Sequence, residues 1–178
     1  IAPTLFVEKG DEISLKQLFE RTNWTEAVLK PAISGAARHT YRIKTSNCSE
    51  FEAVFQELIS EECMLFQKFL NSITTQGEIS LILIGGKYTH AVKKIAKKGD
   101  FRVQDDHGGR IEKYTPTELE IAFAEDCLKA SPYRPIYARI DIVYDNNNKP
   151  SLSELELIEP ELWFRNYPKA ANLLAEEI

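Results

Sequence analysis

The sequence predicts an α+β fold in which pairs of antiparallel strands alternate with single helices. The stretch GEISLILIGGKYTHAVKKIA contains two β-prone runs joined by a Gly-Gly pair, which is the pattern of a tight hairpin. The stretch RPIYARIDIVYDNNNKPSLSELELIEP repeats this arrangement around an asparagine-rich turn. Helical segments separate the two hairpins instead of following each strand in turn. This order favours α+β over a doubly wound parallel sheet.

The other elements follow from periodicity and from helix boundary signals. Ser49 is the predicted cap of the second helix, and Thr115 with Pro116 is the predicted start of the third. The polar stretch KKGDFRVQDDHGGRIEKY is predicted to be a long functional loop. In order, the predicted elements are a helix in SLKQLFERTNW, strands in EAVLKPA and HTYRIK, a helix in CSEFEAVFQELIS, a strand in CMLFQKFL, the first hairpin, a helix in TPTELEIAFAEDCLKA, the second hairpin and a closing helix in YPKAANLLAEEI.

Length and composition narrow the possible functions. A chain of 178 residues suits one domain or two small lobes that share a cleft. The net charge of -5 argues against nucleic-acid binding, and neither a membrane-spanning run nor a signal-peptide pattern is visible. Three widely spaced cysteines indicate reduced thiols and predict a cytoplasmic protein. Because the chain starts at IAPTLF without an initiator methionine, we expect it to be part of a longer protein.

The second predicted hairpin gathers acidic side chains on one face. Alternation along the first strand puts Arg139 and Asp141 on the same face, and along the second strand it does the same for Glu154 and Glu156. A turn centred on Asn147-Asn148 places Asp141 opposite Glu154 and Arg139 opposite Glu156, with facing Cβ atoms about 5 Å apart. Three carboxylates therefore converge on one patch.

Two interpretations of this patch stay open at the level of sequence. Converging carboxylates repel one another, and an oxygen-lined site of this kind favours Mg²⁺. Alternatively, Arg139 neutralises an exposed acidic face and no metal is involved. Without metal, the repulsion predicts that Glu154→Gln or Asp141→Asn leaves the protein equally or more stable.

Further basic residues are candidates for phosphate binding. Lys30 lies at a strand end before the small-residue loop SGAAR, Lys93 and Lys94 lie in the first hairpin, and Arg102 follows GDF. His90 is interpreted as a hydrogen-bonded strand histidine. No P-loop motif and no Ser-His-Asp arrangement is present in the sequence.

The order of these motifs resembles that of the ATP-grasp superfamily, in its glutathione-synthetase-like and ribosomal-protein glutamate ligase branch. The resemblance rests on VLKP-x-SG, FQKFL, GEISLILIGGKYTHAVKK, GDFRVQ with a following GG, and RIDIV with ELELIEP, in that order. It implies two α+β subdomains, at 1–66 and 67–178, that hold ATP between them with Mg²⁺ on its phosphates. It also implies a ligase that phosphorylates a carboxylate, after which an amine or thiol attacks the acyl phosphate. Relatives carry a further N-terminal domain, expected before Ile1, so the fragment alone is expected to be inactive.

The resemblance assigns roles by position. On the nucleotide side these are Lys30 for the α- and β-phosphates, Ser34 to Ala37 with Gly35 for the phosphate-covering loop, Gln67, Lys68 and Phe69 for the adenine edge, Glu78 for the sugar side and Lys94 for the phosphates. On the reaction side they are Arg102 for the acyl-phosphate transition state, and Asp141, Glu154 and Glu156 as magnesium ligands.

The sequence also departs from the family pattern. Glu156 replaces the asparagine of an E-x-N motif, and Gln104 that of an R-x-N motif. The expected partners are a small carboxylate and an amine, with no nucleic acid or membrane, and a homo-oligomer is possible. Two alternatives remain: a catalytically inactive nucleotide-binding regulatory module, and an acidic domain that binds a basic partner.

Overall fold

The computed structural model describes residues 1–35, 37–97, 99–103 and 108–178, and it confirms the α+β fold with two antiparallel sheets. Ala36, which lies within the predicted phosphate-covering loop, and Gln104 of the R-x-N position lie outside the described residues. The helices are α1 Leu15–Thr22, α2 Cys48–Glu61, α3 Ser72–Thr75, α4 Glu118–Ala130 and α5 Lys169–Glu177, with a 3-10 helix at Phe164–Asn166. The strands are β1 Thr4–Val7, β2 Glu26–Pro31, β3 Tyr41–Lys44, β4 Met64–Lys68, β5 Glu78–Ile84, β6 Lys87–Ile95, β7 Arg110–Tyr114, β8 Tyr137–Tyr144 and β9 Pro150–Glu156.

The chain divides into two compact units, Ala2–Phe69 and Leu70–Ile178, the second of which also includes Ile1. The first unit contains a four-stranded sheet in the order β1-β4-β2-β3, with antiparallel neighbours throughout. Apolar side chains from this sheet pack with those of α1 and α2 in a core that includes Phe55 and Phe66. This unit therefore has a hydrophobic core of its own.

The second unit contains a five-stranded antiparallel sheet in the order β7-β6-β5-β8-β9. Its central strand β5 is buried along its whole length, because both faces of the sheet are covered. One face packs under α4, and the other contacts Leu162, Trp163 and α5. At the predicted Gly-Gly turn, Gly85 and Gly86 have φ angles of 56° and 76°, which glycine adopts without strain.

Two predicted helix starts are each wrong by two residues. Helix α2 begins at Cys48 after Asn47, so Ser49 lies inside the helix and does not cap it. Helix α4 begins after Thr117, not at Thr115 and Pro116. The reason is that Thr117 and Glu120 form a reciprocal capping box, which outcompetes the proline signal that precedes it.

Four short elements were not predicted from the sequence. Strand β7 occupies the end of the stretch that was expected to be a loop, and β1, α3 and the 3-10 helix at Phe164–Asn166 were not expected. Both strands lie at a sheet edge and are short, so their hydrophobic alternation is weak. Within the described residues, every helix is too short or too polar to cross a membrane.

Candidate functional site

The register of the β8–β9 hairpin brings the predicted acidic side chains together. Asp141 faces Glu154 and Arg139 faces Glu156, as expected from the alternation. Ligand oxygens from Asp141, Glu154 and Glu156 all lie within 4.8 Å of one another. The geometric part of the prediction is therefore correct.

The register reaches these pairs through an irregularity that the sequence did not reveal. Closer to the turn Ile142 faces Leu152, so the pairing shifts by one residue between Ile142 and Asp141. Ser153 is the extra residue on β9, as in a β-bulge. Next to the turn, each β8 residue therefore pairs one residue earlier on β9 than expected, and the bulge restores the expected register before the acidic pairs are reached.

The three carboxylates of the cluster differ in solvent exposure. Asp141 is fully buried, whereas the side chains of Glu154 and Glu156 are 43% and 34% exposed. Hard divalent cations prefer carboxylate oxygens, and Mg²⁺ keeps several waters that need an open side. The donor set therefore fits Mg²⁺, with Asp141 at the buried end and the glutamates towards solvent.

Lys94 on β6 connects this cluster to Glu78 on β5. Its Nζ lies 3.0 Å from Asp141 Oδ2 and forms a short ion pair with Glu78. Burial disfavours the charged ammonium, but the two carboxylates outweigh it and raise the pKa of Lys94. Gly77 permits the close approach of the strands, since a Cβ there would lie 2.4 Å from the Lys94 carbonyl oxygen.

Arg139 on β8 is the second buried cation. Its guanidinium donates to Asp141 at 2.9–3.1 Å and to Glu156 through Nη2, and it lies 3.7 Å from Glu154. Burial alone would raise the pKa of Asp141, but Lys94 and Arg139 outweigh burial and lower it. Asp141 thus carries much of the charge pairing in the site. The ion pairs of Asp141 argue against the expectation that Asp141→Asn leaves the apo protein equally or more stable, because the change would leave two buried cations short of a partner.

Negative charge remains in excess around these two cations. Glu78, Asp141, Glu154 and Glu156 give four carboxylates against Lys94 and Arg139, which leaves two uncompensated charges when all are ionised. Burial, with a smaller contribution from acidic neighbours, raises the pKa of Glu78 to about 6 against the opposing effect of Lys94. A divalent cation would balance this charge.

Trp163 also belongs to this site and was not predicted from the sequence. Its buried ring centroid lies 5.3 Å from Arg139 Cζ and 5.8 Å from Lys94 Nζ. It follows β9 on no regular strand, so alternation could not place it. The available signal was its position in the apolar stretch ELWF directly after the acidic residues.

Arg102, the residue predicted to act on the acyl-phosphate transition state, pairs with a carboxylate close to it in sequence. Its side chain pairs with Asp100, with Nη2 2.8 Å from Oδ2. The carboxylate of Asp100 also accepts hydrogen bonds from the backbone N–H groups of Phe101 and Arg102. The Asp100 pKa is lowered chiefly by the Arg102 guanidinium.

In the first unit, the predicted phosphate-binding residues lie at and after the end of β2. Lys30 is the penultimate residue of β2, and Ser34 and Gly35 are exposed in the loop that follows. Arg38 closes this loop by donating to both carboxylate oxygens of Glu62 at 2.7 Å.

The strand predicted to contact adenine uses its backbone within the sheet. The N–H of Lys68 donates to Pro3 O and that of Phe69 to Glu26 O, and Gln67 lies in the ladder of β4. Phe69 is 3% exposed, and Arg42 Cζ lies 3.8 Å from its ring centroid. The adenine contact of these residues stays a prediction.

The comparison with protein families decides the classification of this fold. Residues 1–148 match the family described as prokaryotic glutathione synthetase, ATP-grasp domain. The chain belongs to this ATP-grasp family. The resemblance drawn from its motifs is therefore confirmed.

Individual relatives agree with this assignment. A glutathione synthetase from Prochlorococcus marinus (strain MIT 9313) is 30% identical over 134 residues, which cover 74% of this chain and 41% of that protein. The crystal structure of the D-cycloserine synthetase DcsG is similar at a TM-score of 0.84 and 22% identity, covering 99% of this chain and 63% of that one. The ATP-grasp ligase PsnB, complexed with a minimal precursor, Mg and ADP, is similar at a TM-score of 0.67 and 17% identity over 99% of this chain and 53% of that one. The chain thus spans less than two thirds of the length of each of these relatives.

Proposed function

We propose that the chain binds Mg²⁺ with ATP and forms the ATP-grasp part of a longer ligase that joins a carboxylate to an amine through an acyl phosphate. The observation that carries this proposal is the charge balance around Asp141. Two buried cations pair with four carboxylates, and the remaining negative charge matches one divalent ion. A purely structural ion-pair network would be expected to balance its own charges.

The acidic cluster is the proposed metal site. Asp141, Glu154 and Glu156 would hold Mg²⁺, because each offers an oxygen within 4.8 Å of the others. Bound Mg²⁺ would neutralise phosphate oxygens of ATP during transfer. Family membership supports this assignment, and so does the PsnB complex that contains Mg and ADP.

The remaining assigned residues are proposed to bind and orient the nucleotide. Lys94 and Lys30 would contact phosphates, and Arg102 would stabilise the charge that develops as the acyl phosphate forms. The loop at Ser34 and Gly35 would cover the phosphates and exclude water, which otherwise hydrolyses an acyl phosphate. Gln67, Lys68 and Phe69 are proposed for adenine, and Glu78 for the sugar side in addition to its pairing with Lys94.

Nucleotide binding can be tested on the 178-residue chain by thermal unfolding. MgADP is expected to raise the melting temperature by mass action, and ADP with a chelator to raise it less. Lys30→Ala should remove most of this rise while leaving the apo melting temperature nearly unchanged. Lys16→Ala is the matched control, since Lys16 is 79% exposed and pairs with Glu20 on α1. A folded sample without any shift at millimolar MgADP would contradict the proposal.

Ligase chemistry requires the complete protein and a trapping reagent. Candidate acids are incubated with MgATP and hydroxylamine, which converts an acyl phosphate into a hydroxamate. Hydroxamate formation that depends on both ATP and one acid supports the ligase. Nucleotide binding without hydroxamate from any acid would favour the regulatory module instead.

A further inference from the structure

The indole of Trp163 contacts both cations of the candidate site. Arg139 Cζ and Lys94 Nζ lie 5.3 and 5.8 Å from its ring centroid, within the range of cation–π attraction. The side chain is 3% exposed, so water does not screen these contacts. One ring is therefore in contact with two cations that also pair with carboxylates.

Tryptophan is an unfavourable choice at this position for packing alone. Its backbone is left-handed, with φ 47° and ψ 42°, which is uncommon for a residue other than glycine. Among the described residues, no hydrogen-bond acceptor reaches its buried Nε1. Phenylalanine is also an apolar aromatic residue and would not bury an unpaired N–H. What the indole adds is the most strongly cation-binding aromatic face.

The segment that carries Trp163 is fixed to the sheet by His90 on β6. His90 Nε2 lies 2.8 Å from the carbonyl oxygen of Leu162, and its ring lies against that of Tyr167 at 5.4 Å. Because the Leu162 carbonyl oxygen can only accept, Nε2–H of His90 donates this bond, and burial lowers the pKa of the ring against its effect. The predicted strand histidine thereby sets the place of the neighbouring indole.

We propose that Trp163 is a positioning residue that holds Lys94 and Arg139 in place to meet the phosphates of a bound Mg-nucleotide. This inference rests on the proposed function. Apart from the ring, the partners of these cations among the described residues include the carboxylates of Glu78, Asp141, Glu154 and Glu156. Without the indole face, the carboxylates would pull Lys94 and Arg139 closer to themselves. The two cations would then interact less strongly with the phosphates of the nucleotide.

Paired substitutions separate this role from simple packing. Trp163→Phe keeps an aromatic face and Trp163→Leu removes it, while both leave a smaller apolar side chain. Calorimetric titration with MgADP should show affinity reduced about two- to threefold for the phenylalanine variant and about tenfold for the leucine variant. The two variants should have similar apo melting temperatures. Equal, wild-type-like affinity of both variants would overturn the proposal.

A spectroscopic measurement tests the intact residue, even if the leucine variant does not fold. The chain has two tryptophans, and Trp24 packs on Phe66 in the first unit, so Trp24→Phe leaves Trp163 as the reporting indole. Indole emission depends on nearby charge, and MgADP should therefore change the emission of Trp163. The same change should be absent when Glu156→Gln is added, because Glu156 is a proposed metal ligand and pairs with Arg139.

The outcomes distinguish this inference from the function on which it rests. MgADP that raises the melting temperature but leaves the Trp163 emission unchanged shows that Trp163 is only a core residue, and the ATP-binding proposal survives. An absence of both effects contradicts the proposed function and this inference with it.

Discussion

At the scale of single residues, Asp141 and Glu154 share one acidic cluster but have different surroundings. Asp141 is fully buried and pairs with Lys94 and Arg139, whereas the Glu154 side chain is 43% exposed. Asp141→Asn should destabilise the apo protein by about 3–5 kcal/mol, because it leaves two buried cations short of a partner. Glu154→Gln should change stability by less than about 1 kcal/mol. Urea unfolding without metal measures both.

The same two variants should behave alike towards metal. Each removes a proposed oxygen ligand, so each should abolish the part of the MgADP thermal shift that depends on Mg²⁺. Equal apo stability of the two variants would contradict the structural ranking of these carboxylates. A full Mg²⁺-dependent shift in either variant would show that the altered residue is not a ligand.

Strand alternation was sufficient to predict the carboxylate cluster but not its cationic partners. Asp141, Glu154 and Glu156 were found because they lie on two neighbouring strands of one hairpin. Lys94 on β6 pairs with Asp141 on β8 because both of these strands flank β5 in the sheet. Strand β5 also carries Glu78, the second partner of Lys94. That arrangement depends on sheet order, which local sequence does not determine.

At the scale of elements, the start of α4 carries a buried carboxylate. Glu120 accepts hydrogen bonds from the hydroxyls of Tyr114 and Tyr144 and from the N–H and hydroxyl of Thr117. Although burial alone would raise the pKa of Glu120, these donors outweigh it and lower the pKa. Glu120→Gln places an NH₂ donor among these donors and should destabilise the protein by about 1–3 kcal/mol at neutral pH.

The pH dependence of this effect has a definite sign. A lowered pKa means that the ionised carboxylate stabilises the fold above its unfolded pKa, and that this stability is lost as pH falls through the folded value. The difference between wild type and Glu120→Gln should therefore shrink as pH falls below the ordinary glutamate value of about 4.3. Unfolding curves between neutral and acidic pH test this, and a constant difference would contradict it.

Elements with strong local signals were predicted well, and short edge strands were not. The Gly-Gly hairpin and the closing helix follow from turn chemistry and periodicity. Strand β7 is polar and mostly exposed, so its sequence has no clear strand pattern. It forms a strand through its pairing with β6. The bulge that leaves Ser153 unpaired in the ladder likewise depends on tertiary pairing and not on residue type.

At the scale of the whole molecule, each unit has a separate hydrophobic core. Phe55 is fully buried in the first, and Ile140 is fully buried in the second. Small domains bury a modest fraction of their surface, so the first unit has little stability to spare. Phe55→Ala should cost about 3–5 kcal/mol within that unit through lost burial and a cavity.

Hydrogen exchange followed by mass spectrometry shows which unit loses stability in Phe55→Ala. In Phe55→Ala, amides of β2 and β4 should exchange faster, while those of β5 and β8 should keep their protection. Ile140→Ala is the matched variant for the second unit and should loosen β5 and β8 first. If Phe55→Ala instead accelerates exchange equally in both units, the two cores unfold as one cooperative block, and the division at Phe69 and Leu70 has no energetic meaning.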